Sequence, residues 1–152
     1  MSNNLRKLYS DTIKAHNESP VNFEKRPGSA ALLKAYNPIC GDRFEVFINP
    51  MPDNKQSMLK ELSFHGFGCA ISKASTSVMV KSLIGKSTED AQKLCDQFLK
   101  FVRNDPTVIE SPLSDDFVAF SGVHDFPERL DCATLAWKEM KTFLTSVTEP
   151  NN

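Results

Sequence analysis

The hydrophobic pattern of this 152-residue chain changes its period at Cys69, and that change constrains the fold more than any other feature. Before it, residues 42–48 alternate apolar and polar side chains, which predicts a strand with one buried face. A second strand is predicted where Leu62 and Phe64 share a face, and two strands joined by a short loop most simply form an antiparallel hairpin. From Cys69 onward, apolar residues recur at helical spacing. The sequence therefore predicts an α+β fold.

Four helices are predicted from apolar residues at helical spacing. Pro20 ends the first, Gly85 is a natural stop for the second, and Ser87 is a capping residue for the third. The predicted helices span residues 5–18, 69–83, 87–102 and 127–147. Residues 104–122 are polar and contain two prolines, which predicts an insertion loop within one domain of residues 1–152.

The composition argues against several classes of protein. The formal net charge of −1 does not favour a nucleic-acid partner, and no apolar stretch is long enough to span a membrane. The polar, amphipathic start does not resemble a secretory signal, so a cytoplasmic protein is expected. In a reducing compartment, its four cysteines are more often metal ligands, nucleophiles or buried apolar groups than disulfides.

The cysteines fall into two groups. Cys95 lies in the apolar stripe of its helix and is expected to be a core residue, whereas Cys40, Cys69 and Cys132 lie at the ends of elements. Cys40 and Asp42 project to the same side of an extended chain, and a helix N-terminus at Cys69 favours its thiolate. Three thiolates and one carboxylate would complete a tetrahedral zinc shell. Spacing alone leaves a metal site and three unrelated cysteines equally well supported.

Three sequence motifs identify a family resemblance. The motifs "NPICGD", "FHGFGCAISKASTSVM" and "FPERLDCATLAW" occur in the order and approximate spacing of the IscU-like superfamily of iron–sulfur cluster assembly proteins. The resemblance begins at "LYSDTIKAH" and is closest to the SufU branch, which shares the polar insertion. The scaffold branch, IscU, carries a histidine just before its last cysteine, where this chain has Asp131.

The resemblance implies a zinc site and a reaction. It assigns the zinc ligands to Cys40, Asp42, Cys69 and Cys132, and it implies zinc-dependent transfer of persulfide sulfur from a SufS-type cysteine desulfurase. Cys40 corresponds to the sulfur acceptor, which a histidine of the desulfurase releases from zinc. Arg129 matches a typical arginine, expected either to pair with Asp42 or to steady the anionic shell, with an ordinary surface arginine as the alternative.

The resemblance also implies a fold, a second function and further partners. The fold is a sheet of about three antiparallel strands packed against helices, so the predicted hairpin lacks a strand, for which residues 31–36 are the candidate. The alternative function is a scaffold that builds an iron–sulfur cluster on the same ligands. Downstream iron–sulfur assembly proteins are the other expected partners. His65 and Phe67 depart from the usual lysine and acid of the family, which changes the charge beside the site.

Overall fold

A computed structural model of the chain describes residues 3–105 and 114–148, with side chains described from residue 11 onward. Within these ranges the chain forms one helix, three strands and then four helices, the last preceded by a 3₁₀ turn at Val123–Asp125. The helices are α1 (Asn3–Glu18), α2 (Ala70–Leu83), α3 (Thr88–Val102), α4 (Asp115–Val118) and α5 (Pro127–Thr148). The strands are β1 (Ala31–Asn37), β2 (Asp42–Asn49) and β3 (Glu61–Phe67). No helix in these ranges combines the length and apolarity needed to cross a bilayer.

The three strands form one antiparallel sheet in the order β1-β2-β3. Strand β1 covers the segment proposed as the missing strand, and the expected α+β fold with a three-stranded sheet is confirmed. Phe44, Val46 and Ile48 are fully buried on one face of β2, as their alternation predicts. Their burial orients this face of the sheet toward the core.

The core lies between this face of the sheet and helices α2 and α5, with α3 packed on α5 and α1 on α2. The fully buried Trp137 stacks on Phe98 with ring centroids 4.1 Å apart, and its Nε1 donates to Ser75 Oγ over 3.0 Å. Cys95 has no exposed surface, which confirms its prediction as a core residue. Burial raises the pKa of the Cys95 thiol well above its ordinary value, so this sulfur is chemically inert.

The predicted insertion loop is only partly described, because residues 106–113 lie outside the described ranges. Its described end differs from a polar loop, since α4 begins there with the Ser114 hydroxyl accepting from the Phe117 N–H over 3.2 Å. Phe117 and Phe120 are buried, and both make edge contacts with Phe98. These two aromatic rings attach the end of the segment to the core.

A partly buried set of hydrogen-bonded polar side chains joins α1, α2 and α4. The two ring nitrogens of His16 lie 2.7 Å from Ser77 Oγ and 3.1 Å from Asp116 Oδ1. Lys81 Nζ donates to the other Asp116 oxygen over 2.8 Å. Burial raises the pKa of Asp116, but the hydrogen bonds from Lys81 and His16 outweigh it, and the net pKa is lowered.

The lowered pKa of Asp116 predicts a loss of stability in acid. A carboxyl whose pKa is depressed by folding contributes stability above its unfolded value of about 3.9, and this contribution disappears as pH falls through the folded pKa. We expect the free energy of unfolding to decrease as the pH is lowered below about 4. In Asp116→Asn, the free energy of unfolding should depend less on pH in this range. Urea unfolding across this pH range measures the free energy of unfolding, and Asp115→Asn, at an exposed aspartate, is the control. Equal acid sensitivity in both variants would contradict the prediction.

Candidate metal centre

The turn between β1 and β2 displays Cys40 beside a buried carboxylate. Asn37 pairs with Asp42 across the hairpin, and the Gly41 N–H donates to the Asn37 carbonyl over 2.8 Å. Gly41 has a φ of +78°, a left-handed conformation that glycine adopts without strain. Asp42 is only 1% exposed because it continues the inward-facing row that includes Phe44, whereas Cys40 is exposed on the turn. The turn therefore offers one accessible thiol and one inaccessible carboxylate.

The junction between β3 and α2 positions Cys69. Cys69 is the N-cap of α2, and its sulfur accepts from the Ser72 N–H over 3.4 Å. Its own N–H donates to Asp42 Oδ1 over 2.9 Å. Gly68 makes this approach possible, because a Cβ there would lie 2.5 Å from the same oxygen and 2.6 Å from Ser72 Oγ.

Cys132 approaches the same carboxylate from α5. Cys132 is 4% exposed, and its S–H donates to Asp42 Oδ2 over 3.3 Å. A hydrogen bond from the Ser75 hydroxyl to the Ala133 carbonyl ties this turn of α5 to α2. Both oxygens of Asp42 are thus held by neighbouring cysteines, one by a backbone N–H and the other by a thiol.

The structure brings the side-chain ligand atoms of three of the four predicted ligand residues together. The side-chain ligand atoms of Cys40, Asp42 and Cys132 lie within 4.8 Å of one another. That trio does not include the Cys69 sulfur, and Cys69 contacts the cluster through its backbone N–H, which donates to Asp42 Oδ1. The four residues come from three separate segments, so the cluster is a product of the tertiary fold.

The two inner thiols have opposite pKa shifts. Burial raises the pKa of Cys132, and the neighbouring Cys69 and Asp42 raise it further. Burial also raises the pKa of Cys69, but hydrogen bonding with the side chain and the backbone N–H of Ser72 outweighs it, and the net pKa is lowered. Ser72 therefore favours a thiolate at Cys69.

The donor set fits a zinc ion. Thiolates and a carboxylate converging from one turn and two helix ends are the ligand types that Zn²⁺ takes in tetrahedral sites. Asp42 is buried with no cationic side chain in salt-bridge range among the described residues, so a bound cation would offset its charge. Thiolates also hold iron–sulfur clusters, and the donor set does not discriminate between the two.

Arg129 lies on α5 one turn before Cys132, and its side chain is exposed. It forms no ion pair with Asp42 or with any other described side chain. The oxygens of Asp42 already accept hydrogen bonds from Cys69 and Cys132. A role for Arg129 in sulfur transfer stays a prediction, and its exposure makes it available to a partner rather than to Asp42.

Sequence reasoning missed two residues that support the site, Gly68 and Ser72. The clearest signal for Ser72 was its position three residues after Cys69, which is the spacing of an N-terminal helix cap. No local pattern predicts the close approach of Gly68 to Asp42, because these residues lie on different strand ends.

Comparison with known proteins gives a consistent result. The family model described as NifU-like N terminal domain matches residues 8–147. The iron–sulfur cluster assembly scaffold protein IscU of Streptococcus pyogenes serotype M1 is 33% identical, covering 90% of this chain and 82% of that protein. The zinc-dependent sulfurtransferase SufU of Bacillus subtilis (strain 168) is 32% identical, covering 91% of this chain and 90% of that protein.

A solved structure has a similar fold. The crystal structure described as an iron–sulfur cluster assembly scaffold protein for the SUF system, from Fervidobacterium islandicum AW-1, matches with a TM-score of 0.74. The match covers 91% of this chain and 98% of that chain at 24% sequence identity. At this identity the likeness supports the fold alone.

Proposed function

The chain belongs to the NifU-like N-terminal domain family, which includes IscU and SufU, and on that premise we propose that it is a zinc-dependent sulfurtransferase. Membership places it among proteins of iron–sulfur cluster assembly. The proposed donor is the persulfide of a SufS-type cysteine desulfurase in the cytoplasm, and the proposed recipients are downstream iron–sulfur assembly proteins.

One observation carries the proposal: a single exposed thiol lies beside an otherwise sheltered donor cluster. Cys40 is exposed, whereas Asp42 and Cys132 are buried and Cys69 is half-buried. A sulfur acceptor must be reached by the cysteine of another protein, and only Cys40 is openly placed for that. The other three residues are suited to hold a metal ion in place while Cys40 reacts.

The transfer step has a simple electron balance. The Cys40 thiolate attacks the outer sulfur of the donor persulfide and forms a new S–S bond. The S–S bond of the donor breaks, and the donor cysteine leaves as a thiolate, so no external oxidant or reductant is required. Bound zinc would keep the cysteine ligands deprotonated at neutral pH. Arg129, exposed near Cys132, would attract the anionic persulfide.

A second candidate function is a scaffold for iron–sulfur cluster assembly. Cys40, Cys69 and Cys132 are ligand types that iron–sulfur clusters also use. The relative from S. pyogenes carries the scaffold name. In this alternative the cluster is the cargo, and all three cysteines serve as ligands.

The deciding experiment measures cysteine desulfurase turnover with the zinc-loaded protein. We expect the protein to stimulate sulfide-producing turnover, and Cys40→Ala to reduce the rate to that of the desulfurase alone, because the acceptor sulfur is missing. Cys95→Ala is the matched control, since this cysteine is fully buried away from the site. It should retain the stimulation.

Two results would count against sulfur transfer. Full stimulation by Cys40→Ala would show that another group accepts the sulfur. No stimulation by the unmodified protein, together with reconstitution of a cluster and its release to an apo-protein, would favour the scaffold.

A further inference from the structure

The three thiols of the candidate metal centre differ in how they are held. The Cys40 thiol has no hydrogen-bond partner among the described residues and is exposed. The Cys132 thiol is buried and donates to Asp42 over 3.3 Å. Of these two thiols, Cys40 is therefore the freer to move.

Cys69 is half-buried, yet Ser72 holds its sulfur at two points. The Ser72 N–H donates to the Cys69 sulfur over 3.4 Å, and the Ser72 hydroxyl oxygen lies 3.5 Å from the same sulfur. The hydroxyl also donates to the Cys69 carbonyl over 3.1 Å. The two contacts to the sulfur restrict the rotation of the Cys69 side chain, and the contact to the carbonyl fixes the hydroxyl beside it.

The position of Ser72 is itself restricted. Ser72 is 1% exposed, and a Cβ on Gly68 would lie 2.6 Å from its hydroxyl oxygen. The absence of a side chain at Gly68 leaves just enough room for the hydroxyl beside Asp42. The packing therefore fixes the position of Ser72, which in turn holds the Cys69 sulfur.

We propose that Ser72 is a positioning residue that anchors the Cys69 sulfur and thereby confines sulfur exchange to Cys40. This inference rests on the proposed function, in which the centre holds zinc and one thiol leaves it. Partners in the outer shell of a metal site orient the ligands, and their loss costs about 10- to 100-fold in metal affinity. A zinc-bound Cys69 thiolate has no proton, so it would accept a hydrogen bond from the Ser72 hydroxyl instead of donating one to it. Without the hydroxyl, the Cys69 sulfur loses this anchor and becomes a second exchangeable ligand.

The test measures which sulfur leaves zinc in the isolated protein. In the zinc-loaded protein the ligand cysteines are deprotonated, so the rate of alkylation by iodoacetamide follows how readily each sulfur is released. Peptide mapping by mass spectrometry gives the rate at each cysteine. We expect Cys40 to react at least about tenfold faster than Cys69, and Ser72→Ala to narrow this ratio by about tenfold.

Three controls accompany the measurement. Ser63→Ala removes a different fully buried hydroxyl, one that lacks a partner among the described residues, and should leave the ratio unchanged. Cys95 reports on folding, because it is fully buried and reacts only if the protein unfolds. Ser72→Thr keeps the hydroxyl and should retain the selectivity for Cys40.

Three outcomes would overturn the inference. They are an unchanged ratio in Ser72→Ala, equal reaction of Cys40 and Cys69 in the unmodified protein, and loss of selectivity in a folded Ser72→Thr variant. If Cys95 also reacts in Ser72→Ala, that variant has unfolded and Ser72→Thr decides. Failure of the unmodified protein to bind zinc would instead refute the proposed function, so the two failures are distinguishable.

Discussion

Asp42→Asn is expected to abolish the stabilisation of the protein by zinc while leaving the metal-free fold at least as stable as before. A ligand present at about 1,000 times its dissociation constant stabilises a protein by about 4 kcal/mol, and most of this is lost when a ligand residue is removed. Asparagine keeps the size of the side chain, and its carbonyl oxygen can still accept from the Cys69 N–H.

The expected stability of the metal-free Asp42→Asn variant has a separate physical cause. Asp42 is a buried carboxylate without a cationic neighbour among the described residues, and an uncompensated buried charge is destabilising. Removing the charge is therefore expected not to destabilise the metal-free protein. Denaturant unfolding with zinc, and with a chelator instead, measures both states of the protein.

A matched control is available next to the site. Asp131 precedes Cys132 but is exposed. Asp131→Asn should therefore change the free energy of unfolding neither of the zinc-bound nor of the metal-free protein. Zinc stabilisation that survives Asp42→Asn would show that Asp42 is not a ligand. A large loss of metal-free stability would show that its charge is compensated in the fold.

Gly68→Ala is expected to disrupt the candidate metal centre by steric crowding. The added Cβ would lie 2.5 Å from Asp42 Oδ1, 2.6 Å from Ser72 Oγ and 2.8 Å from Phe44 Cε2. Overpacking of this kind costs about 1–3 kcal/mol, and displacement of Asp42 should reduce zinc affinity by at least about tenfold. Competition with a chromophoric chelator measures the affinity, and thermal unfolding measures the stability.

Gly85→Ala separates crowding at the site from a general effect of the substitution. Gly85 has a φ of +78° and open space around its Cβ position, so alanine there costs about 1 kcal/mol of backbone strain without touching the site. Zinc affinity should be unchanged in this variant. If Gly68→Ala binds zinc as tightly as the unmodified protein, then its neighbours move aside and the crowding argument is wrong.

Local patterns were sufficient for most of the fold. The alternation in β2 and the helical spacing in α2 and α3 report which face of each element is buried, and these elements are where the sequence predicts them. The sequence pattern predicted only two of the three strands, because Ala31–Asn37 carries a weak alternation of apolar and polar residues. The family resemblance indicated the third strand, β1. The described end of the insertion differed because Phe117 and Phe120 lie in a polar stretch but are buried.

The cluster of site residues depended on contacts between distant parts of the chain. Asp42 contacts Cys69 and Cys132, which are 27 and 90 positions away. Spacing along the sequence carries no information about such distances, so the residues alone left a metal site and unrelated cysteines equally supported. The resemblance of three motifs to a known family indicated the four positions. The structure brings the side chains of Cys40, Asp42 and Cys132 together and places the Cys69 backbone against Asp42.

The sequence by itself determined the α+β class and the core status of Cys95, and its motifs indicated the four candidate ligand positions through the family resemblance. Burial periodicity and motif identity are local properties, and they can be read without coordinates. Only the tertiary structure decided which thiol is exposed, that Asp42 is held by Cys69 and Cys132, and that Ser72 anchors the Cys69 sulfur. These features depend on how the strand ends and two helix N-termini pack together, since packing alone sets the distances between groups that are far apart in the chain.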